Sequence, residues 1–196
     1  MSIDTAAKRG LPVRWRIFAI IALASFVSYV LRANLSIAAP AMIEDLQLSE
    51  VQWGYVLAAF TAGYALFQFP GGIAGDRFGS RVSLTVIAVA WAVLTVATAL
   101  VPDSSTVSVG ASLFLLVSAR FLVGMFHAPI FPVLNTVIVR WFPPAARGLP
   151  QGLGSTALTL GFAAAAPLLA WLTVEVGWRA SFWIVAPAGL AVAALW

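Results

Sequence analysis

Two arginines, Arg32 and Arg120, stand inside runs of residues that are otherwise apolar. A charge at the centre of a membrane-crossing helix costs at least about 2.5–3.5 kcal/mol, so such a residue faces a cavity or a partner rather than lipid. No Asp or Glu lies in the same apolar runs. Two cations without a counter-ion point to an anion arriving from outside, because a guanidinium holds a carboxylate through two parallel hydrogen bonds. Tyr29 lies three residues before Arg32, on nearly the same helical face. His127 follows Arg120 by seven residues, which is two helical turns, and shares its face. Tyr64 lies at the middle of a third apolar run. If the helices carrying them line one cavity, Tyr29, Arg32, Tyr64, Arg120 and His127 converge on a substrate. The arginines would bind its carboxylate, and the tyrosines and histidine would hold hydroxyls or a second acidic group.

Composition says what kind of element positions these side chains. The chain has 196 residues, 62% hydrophobic and 9% charged, with a mean hydropathy of +0.99. A soluble domain carries about 25% charged residues, so an all-α integral membrane protein is expected. The net charge of +4 does not indicate nucleic acid, because the basic residues are scattered between apolar runs rather than gathered on one face. There is no cysteine, which excludes disulfides, thiol catalysis and thiolate metal sites. No metal, cofactor or enzymatic activity is expected. An intramembrane serine hydrolase would need a Gly-x-Ser-Gly nucleophile ahead of a histidine. Gly154-Ser155-Thr156 lacks that pattern, and His127 precedes Ser155.

A helix needs about 20 apolar residues to cross the hydrocarbon core. Six such segments are predicted, at 15–40, 51–75, 82–101, 109–140, 148–174 and 178–196, preceded by a tail at 1–14. The breaks fall at Glu44-Asp45 with Glu50, at Asp76 to Arg81, at Pro102 to Ser105, at Pro143-Pro144 with Arg147, and at Gly177 with Arg179. Lys8, Arg9, Arg14, Arg16, Arg77, Arg81, Arg140 and Arg147 fall on one side, whereas Glu44, Asp45, Glu50, Asp103 and Glu175 fall on the other with Arg179. The positive-inside rule then places the N-terminus, and after six crossings the C-terminus, in the cytoplasm. A cleavable signal peptide at the N-terminus is disfavoured, because its removal would discard Arg32. The last apolar run reaches Trp196 without a polar tail, which is expected of a fragment.

Finer roles follow from residue type. Pro129 and Pro132 are expected to kink the fourth span. Gly152, Gly154, Gly161 and Pro167 are expected to allow close packing or bending of the fifth. Asn34 is expected to make an interhelical hydrogen bond. The tryptophans are expected mostly as interface anchors, with Trp15, Trp141 and Trp178 at belt positions.

The loop after the second span reads Gly72-Ile73-Ala74-Gly75-Asp76-Arg77-Phe78-Gly79-Ser80-Arg81. It resembles the loop signature of the major facilitator superfamily, G-x-x-x-D-R-x-G-R-[RK]. Gly72, Asp76, Arg77, Gly79 and Arg81 match, and Ser80 departs. The glycines would serve a turn and a close helix contact, and the Asp would pair with a cation to hold one transport state. Further blocks resemble the anion:cation symporter branch of that family. They are Tyr29 to Ser36, Gly63 to Gly72, Arg120 to Gly124, Pro129 to Pro132, Trp141 to Pro144, Arg147-Gly148 and Gly177 to Arg179.

The resemblance implies the N-terminal six-helix half of a twelve-helix fold, with the C-terminal half as a missing partner. It implies transport of a small organic anion, such as a sugar acid or hexuronate, coupled to a proton or Na+. It implies a bacterial inner membrane, with lipid around the helices. A truncated, non-transporting fragment or scaffold is the alternative. Proton-coupled members often carry an Asp just before the first-helix Arg and a Glu in the fourth helix, where this chain has Leu31 and His127. The carboxylates of ordinary proton coupling are thus absent from this half. His127 is a candidate proton carrier in their place, since histidine titrates near neutral pH, although two nearby arginines would favour its neutral form. Ala145-Ala146 stand where relatives often carry an acidic residue before Arg147, which would weaken a gating contact.

Overall fold

The computed structural model describes residues 13–196. The tail expected at 1–14, with Lys8 and Arg9, lies almost entirely outside the described residues. Everything described is helix or connection. The elements are α1 (Val13–Asp45), α2 (Glu50–Ala99), α3 (Val109–His127), α4 (Ile130–Trp141), a short 3-10 turn (Pro144–Ala146), α5 (Gly148–Val176) and α6 (Trp178–Leu195). Their starts follow local chemistry. Ser49 and Gln52 form a reciprocal capping box at the head of α2. Ser108 caps α3 by accepting from the Ala111 amide. Between them, Asp103 accepts from the side chains and amides of Ser105 and Thr106. Those side-chain hydrogen bonds first, then the amides, pull its carboxyl below the usual value.

Among the described residues, five helical stretches are long and apolar enough to cross a membrane: Val13–Asp45, Glu50–Ala99, Val109–Trp141, Pro144–Val176 and Trp178–Leu195. The sequence predicted six, and the difference lies in α2. Its 50 residues, if straight, would span about 75 Å against a core of about 30 Å. They are not straight. Gly79 adopts φ 79° and ψ 159°, outside the helical region and open only to glycine without strain. The chain reverses there, because Phe60 and Leu94 pack in one apolar cluster and Val56 and Ala99 in another. Residues expected as a loop at 76–81 are therefore helical up to and beyond a single glycine. The fourth predicted span is also divided. α3 ends at His127, and α4 restarts at Ile130 beyond Ala128 and Pro129, as expected of a proline that removes a backbone donor.

Close backbone contacts at glycines lock the bundle together. A Cβ on Gly63 would lie 2.1 Å from the Phe121 carbonyl oxygen, and one on Gly124 would lie 2.1 Å from the Phe60 carbonyl oxygen. Thus α2 and α3 touch backbone to backbone at a reciprocal glycine pair, as helices in lipid often do. Gly161 meets Phe26 of α1, and Gly189 of α6 meets Ala88 of the second arm of α2. Gly161 thus packs closely as predicted, whereas Gly152 and Gly154 have nothing near them. Asn34 accepts from the Ser181 hydroxyl at 3.2 Å, the expected interhelical bond. Large apolar side chains such as Phe69, Phe114, Phe162 and Trp171 remain exposed, as on helices that face lipid.

One end of the bundle is tied by charge. Arg179 pairs with Asp45, donates to the Val101 carbonyl at 3.0 Å and lies over the Trp178 ring at 4.1 Å. Trp178 also donates to Asp45 at 3.1 Å. Arg179 is therefore not a loop charge, and Trp178, 5% exposed, is a packed residue rather than a belt anchor. Trp91 at 2% and Trp53 at 7% correct the anchor expectation further, while Trp141 is 45% exposed. Asp45→Asn is expected to lower stability by about 1 kcal/mol, the usual scale of a half-exposed pair. The loss should shrink as salt is raised, which thermal unfolding at two ionic strengths would check.

Candidate functional site

The two arginines meet at a residue of α2. Phe60, 7% exposed, has its ring centroid 4.6 Å from Arg32 Cζ and 5.0 Å from Arg120 Cζ. Tyr64, one turn along α2, stacks on Phe60 at 6.1 Å with an interplanar angle of 22°. His127 meets Phe60 edge-on at 5.8 Å, and the Tyr29 ring lies 5.6 Å from Arg32 Cζ. Four of the five residues predicted to bind substrate thus gather around one ring, and Tyr29 joins them through Arg32. The Gly63–Gly124 contact explains why. It brings α2 and α3 together one turn from Phe60 and Arg120, and α1 supplies Tyr29 and Arg32.

The cations are poorly compensated. Among the described residues the one ion pair is Arg179–Asp45, so neither Arg32 nor Arg120 has an acidic partner. Arg120 is 5% exposed, and its Nε has no hydrogen-bond partner. Two like charges held against the same ring also repel each other. A cation over an aromatic face recovers about 0.5–2 kcal/mol, more when desolvated. The ring thus offsets part of this cost without neutralising either charge.

His127 is buried between aromatic rings, with Trp91 at 4.7 Å. Its Nδ1 lies 3.1 Å from the Val123 carbonyl and its Nε2 3.4 Å from the Ser28 carbonyl. Both neighbours are acceptors. A neutral imidazole carries one N–H and serves one of them, whereas the protonated ring serves both.

The loop motif forms a separate region. A Cβ on Gly72 would lie 3.6 Å from Pro132, and one on Gly75 would lie 2.6 Å from Val133. Asp76 accepts from Thr136 at 3.5 Å, so its partner in the structure is a hydroxyl on α4 rather than a cation. Arg77 lies 5.7 Å from the Phe78 ring centroid, and Arg81 is exposed. Arg147 caps α4 instead of standing free, donating to the Phe142 and Val139 carbonyls, each at 3.0 Å.

Sequence reasoning missed Phe60, Trp91 and Ser28. Phe60 had one usable signal, since it precedes Tyr64 by four residues and so shares its face. Trp91 and the Ser28 carbonyl had none, because their roles arise from how α1 and the second arm of α2 meet α3.

Comparison with known proteins identifies the family and the fold. The probable galactarate/D-glucarate transporter GarP of Escherichia coli (strain K12) is 35% identical over 198 residues, covering 100% of this chain and 44% of that protein. A hexuronate transporter of Bacillus subtilis (strain 168) is 35% identical over 97% of this chain and 42% of its own length. A probable sulfoacetate transporter of Cupriavidus necator is 32% identical over 93% and 40%. The chain thus spans less than half the length of these relatives. A crystal structure of a bacterial homolog of the human lysosomal transporter Spinster, inward-facing and unoccupied, superimposes with a TM-score of 0.80 at 24% identity. It covers 96% of this chain and 43% of that one, and shows the shared fold. The profile of the Major Facilitator Superfamily matches residues 21–196. With that match over nearly the whole chain, and a glycine-locked helical bundle beneath it, the chain is a multi-pass membrane protein that belongs to the major facilitator superfamily.

Proposed function

We propose that this chain is the N-terminal half of a secondary transporter of small organic anions, with sugar acids and hexuronates as the first candidates. The observation that carries the reading is the pair Arg32 and Arg120, gathered on one ring with no acidic partner among the described residues. A carboxylate entering there offsets the cost of the buried Arg120 and the half-buried Arg32. Tyr29, Tyr64 and His127 surround the same point and can hold hydroxyls or a second acidic group. The names of the relatives, which specify galactarate, glucarate, hexuronate and sulfoacetate, agree with an anionic substrate.

In this reading α2 crosses the membrane twice, with Gly79 at the turn, so the bundle makes six crossings. The basic residues Arg14, Arg16, Arg77, Arg81, Arg140 and Arg147 mark the cytoplasmic side of a bacterial inner membrane. A second six-helix half would complete the cavity and alternate access around it. His127 carries the coupling proton, Na+ being the other candidate ion. Protonation would let its two nitrogens donate to both carbonyls they face. Gly72, Asp76, Arg77, Gly79 and Arg81 act as the gating motif at the turn.

Uptake of labelled sugar acids into proteoliposomes tests the reading, with this chain alone and paired with a matching C-terminal half. Uptake that requires Arg32 and Arg120 is expected. No uptake in either setting, from a correctly inserted chain, would overturn it.

A further inference from the structure

Phe60 carries no charge and belongs to no motif, yet it touches four of the five candidate binding residues. We propose that Phe60 is the positioning residue of the anion site: its ring holds both guanidinium groups within 5.0 Å of one centroid, so that a single anion meets two cations at once. The proposal rests on the anion-site reading of Arg32 and Arg120.

A desolvated guanidinium can be held by a carboxylate, by carbonyl groups or by an aromatic face. A carboxylate would neutralise the charge and compete with the incoming anion. Neither arginine has one among the described residues. Carbonyls would occupy the N–H donors that the ligand needs, and the Arg120 Nε is left undonated. An aromatic face attracts a cation through its quadrupole and carries no formal charge. It therefore orients the arginines while leaving their charge and their donors for the ligand.

The ring is itself held firmly. The Phe60 carbonyl oxygen is the atom that a Cβ on Gly124 would strike, so its backbone sits at the tightest crossing of α2 and α3. Tyr64 stacks on the ring and His127 meets it edge-on. Moving the ring would require opening that helix crossing, and the two arginines would lose their common reference point together.

The test varies the ring face at nearly constant shape. Phe60 is replaced by tyrosine, by leucine and by phenylalanines bearing one, two and three ring fluorines, in the whole chain in lipid nanodiscs. D-glucarate binding is measured by titration calorimetry, and the thermal midpoint is measured without ligand. Affinity is expected to fall stepwise with fluorination. Phe60→Leu should bind about tenfold more weakly, and Phe60→Tyr within about twofold of the parent. The midpoint should follow the same order, and its gradient should vanish when Arg32 and Arg120 are both methionine.

If the unaltered chain binds no D-glucarate, either alone or paired with a matching C-terminal half, the anion-site reading fails. The midpoint series then still decides whether the ring holds the arginines. A midpoint gradient that persists without the arginines would assign the ring to packing and overturn the proposal. So would a flat affinity series in a chain that binds, because the ring would then not position the cations for the anion.

Discussion

Arg120→Met is expected to yield a chain that is more stable than the parent without ligand and unable to hold an organic anion. Arg120 is 5% exposed, has no acidic partner among the described residues and leaves its Nε unbonded. A buried charge without full compensation destabilises the fold, and replacing buried ionic groups by apolar ones of similar volume often gains about 1–4 kcal/mol. A gain at the lower end of that range is expected, because the Phe60 ring already offsets part of the cost. Binding moves the other way. A hydrogen bond to a charged group contributes about 1.5–3 kcal/mol, so losing a bidentate contact should weaken an anion by about a hundredfold or more. Arg120→Lys keeps the charge but loses the fork, and should fall between the two. Denaturant unfolding of the ligand-free chain together with anion titration checks both signs. A less stable Arg120→Met chain would make the arginine a structural residue.

The second large effect belongs to a residue without a side chain. Gly124→Ala would place a Cβ 2.1 Å from the Phe60 carbonyl oxygen. Backbone on the opposite helix cannot yield as a flexible side chain does, so α2 and α3 must separate. A loss of about 1–3 kcal/mol is expected from the overpacking, against a gain of up to about 1 kcal/mol from better helix propensity. The separation also draws Phe60 away from Arg120, so anion binding should fall with stability. Gly110→Ala in the same helix is the control. Nothing lies within 4 Å of its added Cβ, and it should be neutral or slightly stabilising. Equal behaviour of the two variants in thermal unfolding would show that the α2–α3 crossing has slack.

The membrane class and the candidate binding residues were legible from the chain because each rests on a local rule. Long apolar runs with few charges can only be satisfied as helices in lipid. An arginine inside such a run is costly wherever the helix packs, so the sequence alone singles out Arg32 and Arg120. Helical spacing then ties Tyr29 to one and His127 to the other. The same logic found Asn34 and the break at Pro129. It failed where a residue's role depends on its neighbours in space. Arg179 looked like a loop charge and Trp178 like a belt anchor, but both are spent on Asp45. The loop expected at Asp76 to Arg81 is reduced to the positive φ of Gly79, because the flanking motif residues have no reason to leave the helix.

By itself the sequence determined the membrane class, the apolar runs and the presence within them of two cations without a neighbouring counter-ion. Those follow from composition and from periodicity along one chain. The tertiary structure alone decided that both cations share Phe60, that His127 faces two carbonyls, and that α2 doubles back. The reason is that these depend on the distance between helices, and that distance is set by pairs such as Gly63 and Gly124, which lie far apart in sequence and touch only once the bundle forms.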